Sequence, residues 1–75
     1  MDIHHLTKMA NQIGSFFEAY PDHEFAVGEI ASHLRRFWEP RMREAMFRHL
    51  DSAKSELHPA VYEAFLRLQT ADAAH

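Results

Sequence analysis

The stretch Ile3-His4-His5-Leu6-Thr7-Lys8-Met9-Ala10-Asn11-Gln12-Ile13-Gly14-Ser15-Phe16-Phe17-Glu18-Ala19-Tyr20-Pro21-Asp22 decides the fold. Within it Ile3, Leu6, Met9, Ala10, Ile13, Phe16, Phe17 and Tyr20 recur at steps of three and four residues, while Lys8, Asn11, Ser15 and Glu18 fall on the opposite side. Side chains at these spacings stand over one another on a helix, so the pattern is one apolar stripe backed by a solvated face. Asp2 supplies a capping carboxylate at the start, and Tyr20-Pro21-Asp22 both stops this helix and prepares the next.

Working outward, Val27, Ile30, Ala31, Leu34, Phe37 and Trp38 lay out a second stripe over residues 23–38, with Asp22 as its cap. Gly28 lies inside it, where it either costs about 1 kcal/mol relative to Ala or permits close helix packing. Glu39-Pro40 breaks the run and opens a third helix over 40–51 carrying Met42, Ala45, Met46 and Leu50. After the polar segment Asp51 to Glu56, Leu57-His58-Pro59 starts a fourth helix over 59–69. Its apolar residues do not form a single stripe: Val61, Ala64, Phe65 and Leu68 share one face, Tyr62 and Leu66 another. Residues 71–75 read as a mobile tail. No strand-like alternation, internal repeat or low-complexity tract interrupts the pattern. The expected fold is all-α: one small domain over 1–75, a three- to four-helix bundle built on the hairpin of the first two helices.

Composition narrows the function. A chain of 75 residues has room for one core, and that core offsets conformational entropy only narrowly without a disulfide, a metal or a partner. There is no cysteine, which closes the disulfide route and fits a reducing cytoplasm. Apolar residues make up 47%, too many for a disordered segment, yet no run approaches the roughly 20 residues that span a bilayer. Met1-Asp2-Ile3-His4-His5 lacks the basic start and apolar stretch of a secretory signal, so a cytoplasmic location without membrane attachment is expected. The net charge is −3, but it is unevenly placed: from Arg35 to Arg48, five arginines face only Glu39 and Glu44.

No residue pattern points to a catalytic, cofactor or metal site in this chain. The 7 histidines contain no pair four apart on one helical face; His4 and His5 are adjacent and diverge, and the rest are scattered. Nucleophile motifs, phosphate loops and dinucleotide fingerprints are missing, and a shallow bundle has little dry interior in which to shift a pKa. The informative segment is Arg35-Arg36-Phe37-Trp38-Glu39-Pro40-Arg41-Met42-Arg43 at a helix–helix corner. Arginine and tryptophan are the residues that dominate interface hot spots, the one by bidentate contact with carboxylates and the other by a large rigid area. Phe37 lies on the apolar stripe and is expected in the core. Trp38, balanced between core and surface, joins Arg35, Arg36, Glu39, Arg41, Met42 and Arg43 in a partner-docking set. Phe25, Phe47, Tyr62 and Leu66 fall off the main stripes and are expected to add apolar surface to it. Arginines with aromatics also suit a nucleic-acid strand, but the acidic remainder of the chain opposes that reading.

Two stretches, Lys8-Met9-Ala10-Asn11-Gln12-Ile13-Gly14-Ser15-Phe16-Phe17 and Ile30-Ala31-Ser32-His33-Leu34-Arg35-Arg36-Phe37-Trp38-Glu39-Pro40-Arg41-Met42-Arg43, together resemble the delta subunit of NAD-dependent formate dehydrogenase. The resemblance runs from Leu6 to Leu57-His58-Pro59; the last helix and the tail follow the family only in pattern. It implies an accessory subunit of a cytoplasmic molybdenum enzyme that oxidises formate to carbon dioxide and reduces NAD. In such an enzyme the large alpha subunit holds molybdenum-guanine dinucleotide and iron–sulfur clusters, other subunits carry FMN and NAD, and the delta subunit carries none of these. The implied partner is the large subunit, whose assembly, cofactor retention or stability the chain would support as a stable subunit or a transient chaperone. Replacing Trp38 and Arg41 with Ala is then expected to lower formate dehydrogenase activity while leaving helical content intact. The alternative is a self-associating helical regulator, a homodimer without an enzyme partner, which the isolated chain would also form if its natural partner were missing.

Overall fold

Each long helix starts where its orphan N–H groups find an acceptor or are dispensed with. In the computed structural model, which describes residues 2–73, α1 (Ile3–Phe17) begins at Asp2, whose carboxylate accepts from the His4 N–H at 2.9 Å. Likewise α2 (His23–Phe37) begins at Asp22, which accepts from the N–H groups of Glu24 at 3.0 Å and Phe25 at 3.3 Å. Both α3 (Pro40–Arg48) and α5 (Pro59–Ala73) open on a proline, whose missing N–H is no loss there. A single turn, α4 (Leu50–Ala53), completes the set; among the described residues there are five helices and no strand, so the fold is all-α as expected.

Several boundaries differ from the sequence expectation, each for a local reason. The first helix stops at Phe17 rather than Tyr20, and the Tyr20 N–H closes a turn onto the Phe17 carbonyl at 3.2 Å. The expected 40–51 helix is broken at His49 (φ −112°, ψ 14°). There the His49 ring approaches the Ala45 carbonyl at 3.0 Å while the His49 N–H turns to the Met46 carbonyl at 3.0 Å, so a side chain occupies the acceptor that a continuous helix would give to this N–H. The last helix runs past 69 to Ala73, which puts residues 71–73 of the expected tail inside it; residues 74–75 lie outside the described residues.

Packing is dominated by the contact of α2 with α5. His23 and Ala26 lie beside Pro59 and Ala60, and Gly28, Ala31 and Arg35 beside Arg67, Leu68 and Ala71, so the two helices run in the same sense. Helices packed this way cannot be joined by a tight turn; α3 and α4 form the crossover. By contrast α1 and α2, joined by residues 18–22, form the expected hairpin but touch well along α2 from that turn, with Phe17 beside His33 and Ile13 lining one groove with Phe37 and Trp38. The core takes Leu6 and Ala10 from α1, Val27, Ile30 and Leu34 from α2, Met46 from α3, Leu50 and Ala53 from α4, and Val61, Ala64, Phe65 and Leu68 from α5, with Trp38 and Leu57 between helices.

Close approach of α1 to α5 rests on Gly14, where a Cβ would stand 2.5 Å from Val61 Cγ2. Gly28 meets nothing within 4 Å, so the close packing that a helical glycine permits falls at Gly14 instead. Asn11, one turn earlier, fixes the start of α5: its Nδ2 donates to the Glu56 carbonyl at 2.7 Å and its Oδ1 accepts from the His58 N–H at 2.9 Å. The only buried polar side chain among the described residues, Thr7, donates its hydroxyl to the Ile3 carbonyl at 2.8 Å. No helix is long and apolar enough to cross a membrane among the described residues.

Candidate functional site

The apolar stripe of α1 is wider than the core can use. One edge, Leu6, Ala10 and Gly14, is buried. The other edge, Met9, Ile13 and Phe16 with Phe17, turns instead into an open groove of about 600 Å³. Its opposite wall comes from the end of α2 and the start of α3: Phe37, Trp38 and Met42, with Glu39 and His33 supplying polar edges. Phe16 is 77% exposed and Phe37 65%, the two most exposed large apolar side chains among the described residues.

Aromatic rings continue this surface around the hairpin. Phe25 meets Tyr20 edge-on at 5.2 Å, Tyr20 stacks on Phe17 at 5.8 Å, Phe17 touches both Phe16 at 5.3 Å and the His33 ring at 6.5 Å, and His33 lies 4.6 Å from Phe37. Offset and edge-to-face pairs of this kind hold rings in fixed positions without covering them. A pre-ordered aromatic band results, reaching from the turn of the hairpin to the groove.

The structure exchanges the expected places of Phe37 and Trp38. Phe37 keeps its position on the apolar stripe, seven residues past Ile30, but there the stripe runs into the groove rather than the core. Trp38 leaves the helix in an extended conformation (φ −83°, ψ 136°), so the helical period no longer sets its direction. Its ring packs 5.5 Å from Phe65 and is 5% exposed. As a docking residue Trp38 is therefore corrected: it belongs to the core and shows the groove only an edge. Phe47 is half-buried against Phe65 at 6.2 Å and Tyr62 is half-buried under the Lys54 ammonium at 5.4 Å, so neither offers the free surface expected of it.

Of the other expected docking residues, Glu39 and Met42 line the groove, Phe25 belongs to the aromatic band, and Leu66 is exposed on α5 away from both. Arg35 is exposed near Arg67 on the α2–α5 side, and Arg43 is half-buried and already engaged. Arg36 and Arg41 are exposed next to groove residues, and the Arg36 guanidinium lies 5.7 Å over the Phe37 ring. Among the described residues no carboxylate pairs with Arg35, Arg36 or Arg41. Two other arginines pair within the chain: Arg48 with Glu44 at 2.8 Å, and Arg67 with Glu24 at 2.7 Å, a hydrogen bond that raises the Arg67 pKa above its ordinary value. Phe16 was missed as a surface residue. The available signal was its adjacency to Phe17, since neighbours on a helix point about 100° apart and cannot both face one core.

No cysteine is present to ligate an iron–sulfur cluster, and among the described residues no three His, Asp or Glu side chains converge to hold a metal ion. Fold and site thus define a small all-helical protein with an open, aromatic-lined groove flanked by Arg36 and Arg41, which pair with no carboxylate among the described residues. The chain belongs to the NADH-dependent formate dehydrogenase delta subunit family, FdsD, whose family model matches residues 5–65. Membership makes it a formate dehydrogenase subunit and implies association with that complex. The match spans both sequence stretches and ends within α5. Comparison with curated proteins and with solved structures found no match.

Proposed function

We propose that this chain is a non-catalytic accessory subunit of a molybdenum-containing, NAD-dependent formate dehydrogenase, docking on the large catalytic subunit to support its assembly, cofactor retention or stability. The observation that carries the reading is the groove: Phe16 and Phe37 are exposed and Met9, Ile13 and Met42 only half-buried, beside Arg36 and Arg41, which have no carboxylate partner among the described residues. Leaving such a surface uncovered is unfavourable at roughly 25 cal/mol per Å² of apolar area, and a docked polypeptide removes that cost.

The test is co-expression of the tagged chain with the other formate dehydrogenase subunits. Phe16→Asp with Phe37→Asp should reduce co-purified large subunit, molybdenum content and formate-dependent NAD reduction together, while the circular dichroism of the purified variant stays that of the parent. Leu66→Asp is the control and should change none of them. Unaltered recovery of the complex with the groove variant would refute docking through this surface. Mass analysis of the purified complex then separates a stoichiometric subunit from a chaperone that leaves after maturation.

A further inference from the structure

The groove has the form of a seat for one helix. Met9, Gln12, Ile13 and Phe16 line one wall at spacings of three, four and seven residues, which is a complete helical ridge facing outward. Ridges of this kind pack against the side chains of another helix, and helix-in-groove recognition reads anchors at the same spacings. Met9 and Met42 stand on opposite walls, and unbranched thioether side chains adjust to the shape of an inserted anchor.

Charge identifies the polar side of the occupant. Lys8, outside the groove lining but one helical turn before Gln12 on its α1 wall, and Arg36 and Arg41 at the opposite corner, are exposed and have no carboxylate partner among the described residues. Glu39 is the one carboxylate lining the groove itself. Cations on both edges with bulky apolar groups between them are complementary to an apolar stripe flanked by carboxylates. A basic helix would meet like charge on both sides.

We infer that the groove between α1 and the α2–α3 corner binds a single acidic amphipathic helix of its partner, with apolar anchors set between Phe16 and Phe37 and carboxylates meeting Lys8, Arg36 and Arg41. The inference rests on the proposed docking to the formate dehydrogenase large subunit and adds the kind of segment that is grasped.

Photo-cross-linking in the co-expressed complex tests it, with p-benzoylphenylalanine placed in turn at Phe16, Phe37 and, as control, Leu66. Phe16 and Phe37 are exposed, so the substitutions leave the core untouched, and thermal unfolding of each variant verifies this. Cross-links from 16 and 37 are expected in one helix of the large subunit that carries Asp or Glu within a turn of its apolar anchors, and none there from 66. Arg36→Glu combined with Arg41→Glu should weaken recovery of the complex by roughly ten-fold, and reversing the captured carboxylates to Lys should restore it. Cross-links to a second copy of this chain, to a loop or to a basic segment would overturn the inference, as would indifference to charge reversal. Where the parent chain co-purifies with the complex but cross-links only from 66, the helix seat fails and the docking proposal stands. Where the parent chain does not co-purify and the groove captures only itself, both fail.

Discussion

Gly14 and Gly28 show how little the residue type decides and how much its surroundings do. A Cβ at position 14 would press on Val61 Cγ2 at 2.5 Å, and Val61 is fully buried and β-branched, so it has no free rotamer to move into. Gly14→Ala should therefore destabilise the fold by about 1–3 kcal/mol, the usual cost of overpacking, measured by urea unfolding. At position 28 the space is open, and Gly28→Ala should stabilise it by up to about 1 kcal/mol in the same assay. Trp38 carries a comparable reversal. Because its ring is packed on Phe65, Trp38→Ala should cost about 3–5 kcal/mol and lower helical content, whereas Arg41→Ala should leave unfolding unchanged. Loss of formate dehydrogenase activity with Trp38→Ala alone would therefore report on the fold and not on docking.

The helices themselves were legible because their signals are local. Asp2, Asp22, Pro40 and Pro59 stand at four helix starts, and periodic apolar residues fill the spans between. Asp22→Ala should cost about 1 kcal/mol through loss of both capping bonds, and restoration by Asn but not by Leu would confirm the mechanism. What escaped the sequence depended on distant neighbours. Nothing in 40–51 announces that the His49 ring will take the Ala45 carbonyl. Asn11 looks like an ordinary polar residue on a solvated face, yet it spans to Glu56 and His58. Asn11→Ala should accordingly cost about 1–2 kcal/mol and loosen the start of α5, visible as faster amide exchange at His58. Most of the candidate site was obscured for the same reason. The stripe on α1 reads as one core-facing surface, and only the packing of the other helices shows that Leu6, Ala10 and Gly14 are covered while Met9 and Ile13 are half-buried and Phe16 is exposed. The arginine corner was legible because charge and composition mark it directly.

On the scale of the whole molecule, a chain with a radius of gyration of 11.2 Å has a small core for the surface it must support. A partner that binds only the folded form adds stability by mass action, about 2.7 kcal/mol at a hundred-fold excess over Kd. The chain inside the complex should thus unfold at a higher temperature than the chain alone, and the difference should vanish in the Phe16→Asp, Phe37→Asp variant. Scanning calorimetry of both samples at matched concentration measures it.

The same-sense packing of α2 and α5 bears on synthesis. Val27, Ile30 and Leu34 lack the cover of α5 until that helix, which follows α3 and α4 in the chain, has left the ribosome. Nascent chains arrested in the α3–α4 crossover should be cut by protease throughout, whereas those extended beyond Leu68 and clear of the ribosome should resist it, so the bundle becomes competent in one step, when α5 joins α2.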